Sequence, residues 1–166
     1  MATLAVLGVL LTLGVPSFFD TVRNNRAAAN ANELVSALTI ARSEAVRRGA
    51  RIGICPSANG TSCGGTWSDG WIVFTDNATS DTATPVVGQV LRVWPALSGE
   101  PAVVPLRPNG TSSSTTWIRF LPRGDVRTDD VLPVVLRIEP AGCRREQRRD
   151  VLLNAAGRTS VTRVAC

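Results

Sequence analysis

Residues 2–15 read ATLAVLGVLLTLGV without one charge, Pro16, Ser17, Phe18 and Phe19 come next, and the first charge is Asp20. Such a run has no stable place in water and must bury itself in lipid or among equally apolar helices. As a helix, residues 2–19 span about 27 Å at ~1.5 Å per residue, against a hydrocarbon core of about 30 Å. Pro16, late in the run, bends such a helix rather than ending it when neighbouring groups re-satisfy the freed carbonyl. A cleaved secretory signal is the alternative, but a signal begins with a basic segment and closes on a small-x-small site. Here nothing basic precedes Arg23, and no such site closes the run.

The helical pattern does not stop at Asp20. In DTVRNNRAAANANELVSALTIARSEAVRRGAR, Leu34, Leu38, Ala41 and Ala45 recur at three- and four-residue steps, Glu44 precedes Arg48 by four, and Gly49 suits a C-terminal cap. The expectation is one rod from Met1 to about Arg48, roughly 70 Å long. Its first part, residues 1–19, is apolar; residues 20–49 are an amphipathic continuation that packs on the rest of the chain.

Residues 50–166 form that remainder, one head domain. The whole chain has 166 residues, 44% hydrophobic and 19% charged, which suits a single domain with attachments. After Gly49 the pattern becomes short extended runs between turn residues: 51–55, 70–75, 86–94, 116–121, 131–138, 150–154 and 159–164, with Asn59-Gly60, Asn109-Gly110 and Arg123-Gly124-Asp125 as turns. The class is α+β: a long helix on one antiparallel sheet or two small ones.

Chemistry is limited by what is missing. There is no His and no Tyr, and all 18 basic residues are Arg. Nucleophile–imidazole pairs, Ser-Lys pairs and Schiff bases are thereby excluded. Asp129-Asp130 is the only adjacent acid pair, and neighbours on an extended segment point to opposite faces. The expectation is a protein that is not an enzyme and needs no cofactor or metal. Trp67, Trp71, Trp94 and Trp117 invite a base- or sugar-stacking reading, but with four Phe and no Tyr they are needed for the core. Residues 76–85, DNATSDTATP, read as a solvated loop rather than a calcium loop. Asn59, Asn77 and Asn109 each open an N-x-T sequon, which adds little where two of them are Asn-Gly turns.

Cys55, Cys63, Cys143 and Cys166 allow three pairings, of which Cys55–Cys63 with Cys143–Cys166 keeps each bridge within one compact segment. Zinc is the rival, without CxxC spacing or His to support it. Two bridges imply an oxidising compartment and an extracytoplasmic head, although Arg23 and Arg26 after the apolar run point the other way by the positive-inside rule. The charge of +5 is also uneven. Residues 143–166 carry Arg144, Arg145, Arg148, Arg149, Arg158 and Arg163 against Glu146 and Asp150. A hairpin closed by Cys143–Cys166 would present several guanidiniums together, a surface that attracts phosphate backbones. Solvation, or pairing with acidic neighbours, is the plainer use of such a surface.

Taken together, TLAVLGVLLTLGVPSF, then RNNRAAANANELVSALTIARSEAVRRG, resemble the N-terminal helix of type IV pilins and pseudopilins, most of all the FimT/GspH branch of minor pilins. The stretches ICPS, DGWIVF and AGRT resemble its head. The resemblance implies an inner-membrane, single-pass subunit with a periplasmic head. Leu4, Leu7, Leu10, Leu11, Leu13, Pro16, Phe18 and Phe19 would line the membrane and filament helix. Other pilins or pseudopilins would be the partners, in a type II secretion pseudopilus or a type IV pilus. Family precursors carry a basic leader, a processing site and a glutamate near the mature N-terminus, with N-methylation after cleavage. None is in this sequence, so Met1 is expected to fall a few residues inside the mature helix. Members from naturally transformable bacteria bind double-stranded DNA through a C-terminal Gly-Arg-x-Arg motif. Gly157-Arg158-Thr159 matches its beginning, Ser160 stands in the fourth position, and Arg163 on a regular strand faces away from Arg158. DNA uptake is therefore the alternative function implied.

Overall fold

The computed structural model describes residues 2–166, with side chains described from Phe18 onward. One helix, α1 (Ala2–Arg48), runs for 47 residues, about 70 Å at ~1.5 Å per residue. The side chains of Leu4, Leu7, Leu10, Leu11, Leu13 and Pro16 lie outside the described residues. Among the described residues no helix is long and apolar enough to cross a membrane. Helix α1 ends as its sequence requires. Gly49 takes φ +59°, a conformation open to glycine, and the Ala50 amide donates to the Ala45 carbonyl at 3.3 Å, closing the last turn. Glu44 accepts from both Arg47 (2.6 Å) and Arg48 (2.5 Å) there.

The head contains nine strands in two antiparallel sheets: β1 (Ile52–Pro56), β2 (Trp71–Asp76), β3 (Val87–Trp94), β4 (Ala102–Leu106), β5 (Ile118–Phe120), β6 (Val126–Thr128), β7 (Val134–Glu139), β8 (Arg148–Leu153) and β9 (Thr159–Val164). One sheet has the order β3-β2-β1-β5-β6 and the other β4-β7-β8-β9. The sequence pattern does not mark β4 or β6. Strand β4 carries Pro105, which cannot donate to a ladder, and it lies at a sheet edge where that loss is tolerated. Strand β6 has three residues, too few to show alternation. The expected strand 131–138 begins only at Val134, after Pro133.

Both sheets close on the helix. Ala31, Leu34, Ala37, Leu38, Ala41 and Ala45 share one core with Ile52, Ile54, Trp71 and Val73 of the first sheet and with Val134, Leu136, Val151 and Leu153 of the second. The many alanines on this face let the helix axis come close to both sheets, while Leu34 and Leu38 each contribute about 1.5–3 kcal/mol of burial. All four tryptophans are buried, and Trp71 stacks on Trp94 directly across the β2–β3 ladder, with centroids 6.4 Å apart. None of them is a stacking platform for a ligand.

The outer face of the first sheet is also covered. Cys55, Ile72, Phe74 and Trp117 form a second cluster, and the Phe74 ring lies flat over Gly53, where a Cβ would sit 2.4 Å from it. Residues 76–85 are more than a solvated loop. They fold over this face because Arg119, wholly buried, rises from it. Its Nε donates to Asp76 at 2.5 Å, and its two terminal nitrogens donate to the carbonyls of Ser80, Asp81 and Ala83. Cys55–Cys63 secures the neighbouring loop, and Cys143–Cys166 ties the last strand back to the domain, with Cα separations of 5.5 and 5.8 Å. Both members of the Asp129-Asp130 pair are tied into loop hydrogen bonds, Asp129 with Thr116 and Asp130 with Arg107 and Ser113.

Candidate assembly interface

Helix α1 has two faces of different chemistry. Turned inward are Ala27, Asn30, Ala31, Leu34, Ala37, Leu38, Ala41 and Ala45. Turned outward are Asn25, Ala29, Asn32, Ser36, Thr39, Ser43 and Val46, all exposed. These outward residues succeed one another at alternating four- and three-residue steps, the spacing with which a helix lies along a second helix. Most are small, and two of the hydroxyls are occupied by the helix itself: Thr39 donates to the Val35 carbonyl and Ser43 to that of Ile40. What remains is a shallow, nearly uncharged strip about 32 Å long at ~1.5 Å per residue. At its N-terminal end Phe18 and Phe19 are 66% and 56% exposed, packed edge to face on each other at 6.2 Å. Two adjacent rings this exposed are out of place in water.

The β8–β9 hairpin lies alongside the helix. Near its open end Gln147 Nε2 approaches the Asp20 carbonyl at 3.4 Å, and Arg149 and Arg163 both donate to Asn24 Oδ1, at 2.5 and 2.9 Å. At its turn, a Cβ on Gly157 would sit 3.1 Å from Arg42 Nε. Eighteen helical residues and eight extended ones cover the same ~27 Å, so strand and helix run side by side in the same direction.

That geometry divides the arginines that the sequence groups together. Arg144, Arg145, Arg148, Arg149 and Arg163 lie at the end nearest Asp20, whereas Arg158 lies ~27 Å away at the turn. Nor are they alike at the near end. Arg148 pairs with Glu139 at 2.8 Å. Arg149 is 8% exposed, and burial, then the Arg163 charge, lowers its pKa from the ordinary guanidinium value. Arg144 and Arg145 are exposed, without an ion pair among the described residues. Gly157 serves the turn: it has φ +73°, and a Cβ there would sit 2.2 Å from the Gly124 carbonyl oxygen. The turn gathers a different basic group: Gly157 and Gly124 are in contact with Arg42 against both, so Arg158, exposed, and Arg123, whose side chain is 85% exposed and 3.8 Å from Asp125, are the residues next to that contact.

Sequence reasoning misses the outward strip on α1, because polar residues at heptad spacing carry no hydropathy signal. It misses Arg119 as well, since one arginine between Ile118 and Phe120 gives no sign that it points into the protein. The strip was findable by reading the helix for what its apolar face leaves over.

A model of the family described as type II transport protein GspH matches residues 30–157. Crystal structures of the type IV minor pilin FimU of Pseudomonas aeruginosa (strain PAO1), in two crystal forms, superpose on this chain. One gives a TM-score of 0.59 at 18% identity, covering 86% of this chain and 93% of that one. The other gives 0.55 at 18%, covering 84% and 96%. At that identity the likeness is one of fold, a helix packed on antiparallel sheets.

Proposed function

The chain belongs to the GspH family of type II transport proteins, and from that premise we propose that it is a minor pilin or pseudopilin subunit that works by assembly and not by catalysis. Residues 1–19 are held in the bacterial inner membrane and then in a bundle of partner helices, residues 20–49 continue that helix along the head, and residues 50–166 form a periplasmic head. Moving an apolar helix from lipid to other apolar helices changes its surroundings little, so an assembly motor meets only a small barrier. The observation that carries this reading is the outward strip of α1, where Asn25, Ala29, Asn32, Ser36, Thr39, Ser43 and Val46 leave room for a second helix along ~32 Å. The filament is a type II secretion pseudopilus or a type IV pilus, with this subunit at or near its tip.

A Ser36→Cys subunit, expressed with its native partners, labelled at the new thiol with a benzophenone maleimide and irradiated, is expected to yield adducts with other pilin-like subunits, the four native cysteines being closed in disulfides. The same substitution at Thr82, on the far loop, yields none. A Ser36→Cys subunit found only as uncrosslinked monomer would refute the reading.

A second reading, DNA binding by the head, is favoured by one observation: Arg158, Arg123 and Arg42 come from three segments to one end of the molecule. Guanidiniums so placed can bridge successive phosphates. Retention of duplex DNA should then weaken steeply with salt, and Arg158→Gln should lower the salt slope by about one. Equal retention by the wild type and Arg158→Gln at every salt concentration excludes it.

A further inference from the structure

Where α1 enters the head, the protein carries a collar of charge. Arg23 and Arg26 stand on the helix. Arg144, Arg145, Arg148, Arg149 and Arg163 come from the hairpin end that Cys143–Cys166 ties down around Asp20 and Asn24. Against these seven guanidiniums stand Asp20, Glu100, Glu139 and Glu146. Two of the four are engaged, Asp20 with Arg23 at 3.7 Å and Glu139 with Arg148 at 2.8 Å. Arg149 and Arg163 converge instead on one neutral oxygen, Asn24 Oδ1, and among the described residues neither forms an ion pair with a carboxylate.

Between the helix and the segments 98–101 and 140–141 lies a cavity of about 210 Å³. Arg23 and Arg26 line it, and Asn30 and Ser98 give it a polar floor, with Asn30 Nδ2 donating to the Ser98 carbonyl at 3.2 Å. Its size and donors suit a phosphate group, with one side open to water.

The position of this collar along the helix identifies its ligand. Phe18 and Phe19, exposed and side by side, are the last residues of the uncharged run before Asp20, so they mark where hydrocarbon gives way to headgroups when that run lies in a bilayer. Arg23 and Arg26 lie about 6 and 10 Å of helix beyond Phe19. The headgroup layer on each side of a bilayer is roughly 5–8 Å deep, so when residues 2–19 occupy the membrane Arg23 lies within it and Arg26 stands just beyond, with a side chain long enough to reach back.

Building on the membrane-anchored subunit proposed above, we propose that this collar binds the phosphates of an anionic phospholipid surface, one headgroup phosphate entering the notch beside Arg23 and Arg26. The bilayer thereby holds the head upright on the membrane until the subunit is drawn into a filament, when the headgroup contacts are given up.

The test uses the full chain reconstituted into vesicles of phosphatidylcholine alone and of phosphatidylcholine with phosphatidylglycerol, read by amide hydrogen exchange. Residues 140–147 and 98–101 should exchange roughly thirtyfold more slowly in the anionic vesicles, as two arginines near a charged surface would give. High salt should reverse this, and residues 107–115 should not respond. The variant with Arg26→Gln, Arg144→Gln and Arg145→Asn should lose the lipid response, Asn being chosen because Arg145 sits at φ +56°. Arg158→Gln, at the other end, should keep it. Equal exchange in both vesicle types, with the chain floating with each, overturns the collar while leaving the anchor intact. A chain that floats with neither overturns anchor and collar together. Protection by added duplex DNA without any response to phosphatidylglycerol assigns the collar to nucleic acid and overturns the lipid proposal.

Discussion

Replacing Arg119 with methionine tests whether the head is held shut from its outer face. The guanidinium has no exposed surface, nor does its partner Asp76. It lies 4.8 Å from the Trp117 ring centroid and makes four hydrogen bonds, one to the carboxylate and three to loop carbonyls. Methionine fills most of the stem's volume, so packing loss is small. The cost comes from a carboxylate left buried without its cation, about 3–5 kcal/mol. The carbonyls of Ser80 and Asp81, on exposed residues, can turn to water only if the loop lifts, which places the outcome toward the lower figure. At about 2–4 °C per kcal/mol for a chain of this size, thermal unfolding monitored by near-ultraviolet circular dichroism in detergent should fall by roughly 6–20 °C. Amides across 76–86 should lose protection before the rest of the head. Combining Arg119→Met with Asp76→Asn removes the stranded charge and should recover a measurable part of the loss, a coupling expected only for a direct pair. A single variant within ~1 kcal/mol of wild type, or a double variant whose losses simply add, refutes the reasoning.

Gly157→Ala should cost about 2–5 kcal/mol, combining strain at φ +73° with a Cβ 2.2 Å from the Gly124 oxygen, and chemical denaturation measures it directly. Ala37→Leu puts three extra carbons into a fully buried helix–sheet contact. Its expected loss is about 1–3 kcal/mol, seen as faster exchange of the amides in β1 and β8. Asp130 is held well below the usual carboxylate range, first by the Arg107 guanidinium and then by the Ser113 hydroxyl and the Val131 amide. Because its pKa is depressed on folding, its contribution is complete above roughly pH 4 and drains away as the pH falls below that value. Asp130→Asn should therefore be less stable than wild type at neutral pH and close to it in strong acid. Parallel stability curves against pH would contradict this.

The long helix was legible because three independent signals agree over 20–49: apolar spacing, a Glu-Arg pair and a terminal glycine. What hydropathy underreported was how much of its inner face is alanine. Ala27, Ala31 and Ala37, with the buried Asn30, are as enclosed as the leucines but too small or too polar to stand out. Most strands were legible from turn chemistry, and β4 was not, because Pro101 and Pro105 argue against a strand wherever the sheet edge is unknown. The cysteine spacing agrees with the two bridges in the structure because neither pair needs the fold to bring distant segments together.

The basic tail shows where reading along a chain stops being informative. Six arginines in 24 residues look like one patch as long as the segment has no shape. Once β8 and β9 form a hairpin along α1, its length fixes the distribution: one end of the hairpin is at Asp20 and the other at Arg42. Arginines on the strands near the first end must meet the helix where the apolar run finishes, and an arginine just past the turn must sit ~27 Å away. The same charge thus faces two environments, one where α1 enters the head beside Phe18 and Phe19 and one at the far end of the head. A ligand of the first kind is sensed through Arg26, Arg144 and Arg145, and a ligand of the second through Arg158. Substitutions at the two ends should therefore separate cleanly in any binding assay, and a partner whose binding falls equally with both must be long enough to span the hairpin.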